Sequence, residues 1–168
     1  GSLMLETSTY PEALRCFERS IALSPQHAPA YALAGVTLMR LKRYEEALPR
    51  LRKAIELDPQ DAQSVNNLGV ALRQLNRNPE AIAVMEEALK KDPKNAELAN
   101  NLGVALRKER RYEEAIVYFE KATKLRPDEV SFERNLAIAL RSAERYQEAT
   151  THYQLVVKKA PTDAGAHY

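Results

Sequence analysis

The chain has 168 residues, 45% hydrophobic and 29% charged, and lysine plus arginine exceed aspartate plus glutamate by 25 to 23. That composition excludes a disordered chain, and a net charge of +2 offers no global attraction to nucleic acid or an anionic membrane. One cysteine excludes an internal disulfide framework, and no run approaches the roughly 18 apolar residues of a membrane helix.

Gly1-Ser2 reads as a cloning remnant, and no basic stretch followed by an apolar leader comes after it. The chain therefore reads as an excised piece of a longer, soluble protein, with the cytoplasm the favoured compartment. Its organisation is set by repetition: Asn66 to Arg73 spells NNLGVALR, and the same eight residues return at Asn100 to Arg107, 34 residues on. One more step reaches NLAIALR at Asn135 to Arg141, and one step back reaches LAGVTLMR at Leu33 to Arg40.

Taken in chain order, residues 8–27 predict only the second helix of an incomplete unit, with Tyr10-Pro11-Glu12-Ala13 in register with Tyr44-Glu45-Glu46-Ala47. Cys16, beside Phe17, is expected to be a buried, inert thiol. Full units follow at 28–61, 62–95, 96–129 and 130–163, each a helix-turn-helix hairpin, and 164–168 would open another; residues 3–163 form one domain. Pro25, Pro59, Pro93, Pro127 and Pro161 mark the connections, since proline stops helices. In unit 28–61, Pro49 falls inside the second helix and should bend it, at about 3 kcal/mol in an unprepared helix. In unit 62–95 the first helix carries an apolar stripe of Val65, Leu68, Gly69, Leu72 and Leu75, and the second one of Ala81, Ile82, Met85, Ala88 and Leu89. Asn78-Pro79 suits an N-cap followed by proline at the first helical position.

Small residues recur where the two helices must approach: Gly35, Gly69, Gly103 and Ala137 in the first, and Ala47, Ala81, Ala115 and Ala149 in the second. A lone hairpin cannot bury both stripes, so neighbouring units must stack, and uncovered ends would invite self-association.

These residues resemble the tetratricopeptide repeat family, with Leu102, Gly103, Leu106, Ala115, Phe119, Ala122 and Pro127 carrying the pattern in unit 96–129. Ala99 and Glu133 depart from it where Tyr31 supplies the early aromatic, and Val156 replaces the late alanine. The resemblance implies an all-α, right-handed superhelical solenoid whose first helices line a concave groove.

A second stripe on the first helices would then face that groove: Asn66, Asn67, Val70, Arg73 and Gln74, repeated as Asn100, Asn101, Val104, Arg107 and Lys108, and as Arg134, Asn135, Ile138 and Arg141. An asparagine amide can pair with both the N–H and the C=O of an extended chain. With helices roughly 8–10 Å apart and a strand rising about 3.3 Å per residue, each repeat would span roughly three peptide residues, making Asn67, Asn101 and Asn135 a candidate ladder. Arg73, Arg107 and Arg141 share one repeat position and favour an acidic ligand. Two alternatives stand: the asparagines brace neighbouring helices, or the arginines only solvate a surface. The lysine-and-asparagine clamp of chaperone-binding relatives is not reproduced, since Ala32, Asn66 and Asn100, then Val36, Val70 and Val104, occupy its positions. Arg43, Arg77, Arg111 and Arg145 should form local ion pairs with Glu45, Glu80, Glu113 and Glu148.

His27, His152 and His167 fall in unrelated places, and the glycines form no phosphate cradle, so no enzyme activity, metal or cofactor is expected. The favoured function is a protein-interaction scaffold for an extended, acidic peptide. The alternatives are a self-assembling structural module that forms a homo-oligomer through its ends, or a substrate-selecting domain of a larger enzyme such as a glycosyltransferase. Neither nucleic acid nor membrane insertion is expected, because the groove arginines lack interleaved aromatics for base stacking and no apolar run is long enough to span a bilayer.

Overall fold

A computed structural model describes residues 2–159, with side chains from residue 9 onward. Gly1 and the stub at 164–168, with Pro161 and His167, lie outside the described residues. Every described element is a helix: α1 (Ser2–Leu23), α2 (Ala28–Arg40), α3 (Tyr44–Leu57), α4 (Ala62–Gln74), α5 (Asn78–Lys91), α6 (Ala96–Lys108), α7 (Tyr112–Leu125), α8 (Val130–Ser142) and α9 (Tyr146–Lys159). The chain divides between Ala81 and Ile82 into two compact units. In the first, α1 packs on α2, α2 on α3 and α3 on α4; in the second, α6 pairs with α7, α7 with α8 and α8 with α9.

The first helices begin for readable reasons. Asp61 accepts from the backbone N–H groups of Gln63 and Ser64, Asn95 from that of Leu98, and Glu129 from that of Ser131, so donors with no intrahelical partner are satisfied by side chains. Proline enters α2 within its first two positions, where its missing N–H removes nothing. The second helices start differently. Arg43, Arg111 and Arg77 directly precede α3, α7 and α5, so Asn78 is the first residue inside α5 rather than its cap. The helical ladder already runs from the arginine carbonyl, with Ala81 N–H donating to the Arg77 oxygen at 3.1 Å.

One device closes each inter-helix turn. The residue after the last turn of the first helix is left-handed, at Lys42 (φ 59), Asn76 (φ 57), Arg110 (φ 60) and Glu144 (φ 63). The next N–H reaches back to close the turn: Arg43 to the Leu38 oxygen at 2.9 Å, Arg77 to Leu72 at 2.9 Å, Arg111 to Leu106 at 3.0 Å and Arg145 to Leu140 at 2.9 Å. Of these four, Asn76 is the residue that tolerates this backbone well.

Inside the α2/α3 and α6/α7 hairpins the helices meet where the side chain is absent. A Cβ on Gly35 would stand 2.7 Å from the Leu51 side chain, and one on Gly103 would stand 2.8 Å from the Phe119 ring. Ala34, Ala47, Leu51, Ala105, Ala115, Phe119 and Ala122 are sealed from solvent around those approaches. α3 continues through Pro49, which lies on its exposed side, so the Glu45 carbonyl that loses its helical partner is near water.

Cys16 is exposed rather than buried. Leu14, Phe17 and Ile21 are half-buried, while Glu12, Arg15, Cys16 and Arg19 share the solvent side of α1, so nearness in sequence to Phe17 placed the thiol on the wrong face.

Two stability outcomes follow from these contacts. Lys42→Gly and Arg110→Gly should each raise the unfolding free energy by about 1 kcal/mol, relieving the left-handed backbone, whereas Asn76→Gly should change it little; urea unfolding followed by circular dichroism reads all three. Gly103→Ala should lower it by about 1–2 kcal/mol despite alanine's better helix propensity, because the Phe119 ring must move within a closed core.

Candidate functional site

The inner face of each first helix is consumed by packing, which leaves a second face to be explained. On α2 and α4 the buried residues include Ala34, Leu38, Val65, Leu68 and Leu72, and between those turns Val36, Met39, Asn67, Val70 and Arg73 remain half-exposed. In the second unit, Asn100, Asn101, Val104, Arg107, Arg134, Asn135 and Ile138 are likewise half-exposed, and Lys108 and Arg141 are exposed. Asn66 is the exception at 9% exposure, and it belongs to the buried side of α4. A β-branched aliphatic residue therefore stands partly in water at the same repeat position each time, as Val36, Val70, Val104 and Ile138.

The amides on this face have definite partners. Asn135 Nδ2 donates to Asn100 Oδ1 at 2.9 Å, tying α8 to α6. That bond uses one acceptor and one donor and leaves the second N–H of Asn135 and its own carbonyl for other contacts. In α2 the residue corresponding to Asn100 is Ala32, which cannot make such a bridge to α4, and Asn67 Oδ1 accepts from Gln63 Nε2 within α4 at 3.3 Å.

Two recesses lie along these helices. One of about 180 Å³ in the first unit is lined by Val36, Met39, Arg40, Tyr44, Asn67, Val70 and Gln74. The other, of about 220 Å³ in the second unit, is lined by Glu97, Asn100, Asn101, Arg126, Glu129, Ser131 and Phe132. This second recess is polar and already neutralised: Arg126 pairs with Glu97 at 2.9 Å and with Glu129 at 3.5 Å, and its guanidinium lies 5.6 Å from the Phe132 ring centre. By contrast, Arg40, Lys108 and Arg141 enter no ion pair among the described residues, and Arg107 Nε is buried with no hydrogen-bond partner there.

The arginines at the turns are occupied. Each forms a two-point pair with the glutamate three residues on: Arg43 with Glu46, Arg77 with Glu80, Arg111 with Glu114 and Arg145 with Glu148, at closest distances of 2.6 to 2.7 Å. Glu45 and Glu113 are therefore not the local partners expected from their position. They reach the next repeat instead, Glu45 to Arg77 at 3.6 Å and Glu113 to Arg145 at 3.0 Å. The two-point hydrogen bond from the arginine holds the carboxyls of Glu46, Glu80, Glu114 and Glu148 below their ordinary range. These glutamates also sit in the first helical turn, where the helix dipole favours negative charge.

Glu133, at the position where Tyr31 stands in the first full unit, is 7% exposed and compensated by two cations or donors: His152 Nδ1 lies 2.8 Å and Lys159 Nζ 3.5 Å from its carboxylate. His152 is thereby a partner of α8. Among the described residues no three histidine, cysteine, aspartate or glutamate side chains stand together as a metal site. Nor is any helix there long and apolar enough to cross a membrane.

The sign of the pH dependence is set by the lowered carboxyls. Their contribution is present above the ordinary carboxylate value of 4.5 and is lost as pH falls from there through their folded-state values. Thermal unfolding should accordingly occur at lower temperature as pH is taken from about 5 to about 3. The slope should flatten when Arg43, Arg77, Arg111 and Arg145 are all replaced by glutamine, with a modest effect per pair because every one is exposed to solvent.

Comparison with known proteins adds the family context. The sequence matches the model for the Psidin N-terminal TPR repeats region over residues 3–115 and the tetratricopeptide repeat model over residues 100–164. No curated protein sequence matches it. Among solved structures, MamA from residue 41 to its end, from Desulfovibrio magneticus RS-1, has a TM-score of 0.84 at 21% identity, covering 97% of this chain and 92% of that one. YrrB, described as a TPR protein with an unusual peptide-binding site, has a TM-score of 0.78 at 21% identity, covering 98% and 85%. A thermophilic TPR protein of Thermus thermophilus has a TM-score of 0.77 at 22% identity, covering 99% and 91%. At these identities the likeness establishes the fold.

Proposed function

Since the chain belongs to the tetratricopeptide repeat family, we propose that it is a protein-interaction scaffold that holds an extended, acidic polypeptide segment against the second face of its first helices. The observation that carries this reading is the recurrence of Val36, Val70, Val104 and Ile138, half-exposed aliphatic side chains set among amides and cations at one repeat position. Isolated exposed aliphatics need no explanation, but their recurrence at one repeat position beside hydrogen-bonding groups fits an interaction surface. The peptide-binding site named for YrrB, a protein of the same fold, supports the same direction.

Asn67, Asn101 and Asn135 contribute contacts to the ligand backbone, and Arg107, Lys108 and Arg141 receive its carboxylates. The bond between Asn135 and Asn100 changes the expected division of labour: Asn135 both braces α8 against α6 and offers its remaining groups outward. Val70 and Val104 each supply an apolar contact beside the polar side chains of their own helix.

The test separates bracing from binding. Asn135→Ala should lower stability by about 1 kcal/mol, through the lost bridge. Asn67→Ala, which removes only a bond within α4, should leave helicity and unfolding temperature nearly unchanged and weaken acidic peptides, selected from a display library on the intact chain, by about ten-fold. Affinity should also fall as salt is raised from about 0.05 to about 0.5 M, since charges on an exposed face are screened within about 10 Å at 0.1 M. Selected peptides whose binding survives both Asn67→Ala and high salt would exclude this surface.

A further inference from the structure

The arginines that recur on the first helices begin only in the second full repeat. Arg73, Arg107 and Arg141 occupy one repeat position, and the same position in α2 is Met39. Met39 is half-buried and forms part of the 180 Å³ recess of the first unit, together with Val36, Tyr44 and Val70. The walls of this recess are therefore three apolar side chains and one aromatic ring, bordered by the polar side chains of Arg40, Asn67 and Gln74, with no carboxylate among them. Arg40 and Asn67 stand at the same recess; Arg40 is exposed and enters no ion pair among the described residues, and Asn67 uses its carbonyl, not its N–H groups, toward Gln63.

A volume of that size suits a single side chain. An apolar cavity of about 150 Å³ accepts a benzene-sized group, so 180 Å³ holds a leucine or methionine side chain without opening the walls. Thioether and aliphatic walls adapt to such a group better than to a rigid polar one. The uncompensated Arg40 guanidinium at the mouth favours a carboxylate close by on the same ligand, and the Asn67 amide can donate to the ligand's backbone carbonyl.

We propose that this recess is an anchor subsite of the first unit for one aliphatic side chain, leucine or methionine in size, carried by an extended segment that also places a carboxylate against Arg40. The proposal rests on the scaffold reading above and deepens it: the first full repeat selects by an apolar side chain where the later repeats, with arginine at the position of Met39, select by charge. Met39 is the residue that decides between the two. Its substitution by arginine gives the first unit the chemistry already present at this position in the other three full repeats, where the fold accommodates it.

The test is a random-peptide display selection on the intact chain, followed by a double-substitution cycle with the best peptide. Wild-type protein should enrich sequences with leucine or methionine next to aspartate or glutamate. Met39→Arg should weaken the best peptide roughly ten- to hundred-fold, the affinity supplied by burying one aliphatic side chain. Replacing the peptide's aliphatic residue by alanine should cost the same factor against wild-type protein and almost nothing against Met39→Arg, while circular dichroism shows the variant folded. Arg40→Gln should remove the preference for the acidic neighbour and leave the aliphatic preference in place. Enriched peptides with no aliphatic position, or an aliphatic preference that survives Met39→Arg, would overturn the subsite and leave the scaffold standing. Failure of the wild-type chain to enrich any peptide would overturn the scaffold reading and the subsite with it.

Discussion

The close approach of two helices at a residue with no side chain is the constraint from which the remaining architecture follows. At Gly35 and Gly103 the partner helix presents Leu51 or Phe119 so near that an added Cβ would overlap it. This fixes which face of each helix points inward, and therefore which residues of the partner are sealed, among them Ala47 and Ala115. It also sets the turn: helices this close must be joined by few residues, and the chain reverses through one left-handed position and a backbone bond from the following N–H. Three of the four residues holding that backbone are charged and poorly suited to it, which shows that the hairpin contact, and not local preference, decides the conformation.

Once the inner face is committed, what remains on a first helix is a half-exposed strip. Side chains there need satisfy only two demands, partial contact with the adjacent helix and compatibility with water, so their chemistry can vary without disturbing the hairpins. The position occupied by Met39, Arg73, Arg107 and Arg141 shows that latitude. A backbone that repeats thus presents chemistry that does not, which is how one fold can host many ligands.

Charge on the opposite border is used differently. Arginines at the starts of the second helices are held by glutamates in the first turn, and Glu45 and Glu113 extend the pairing across to the following repeat. Such exposed pairs add little stability singly, but they occupy the cations at the turns. Glu133 places a carboxyl group in the interior of the second unit, where the side chains of His152 and Lys159 meet it. There the aromatic of the repeat pattern is replaced by a polar cluster that joins α8 to α9.

The repeat length, the helix class, the hairpin pairing and the small residues at the approach points were all legible in the amino-acid order. Each depends on periodicities of a few residues or on one 34-residue step. What could not be read was which side chain faces which across an interface. Cys16 is exposed because the turn-by-turn phase of α1 puts it with Arg15 and Arg19, a distinction of one residue that adjacency to Phe17 obscured. Asn135 meets Asn100, and Glu45 meets Arg77, across sequence separations whose geometry exists only when hairpins stack. The recess around Met39 likewise needs α2, α4 and the start of α3 together. Local order determined the hairpin and its spacing, since helical phase is a property of neighbouring residues; the packing of hairpin on hairpin decided which groups were consumed as braces and which were left to face a partner.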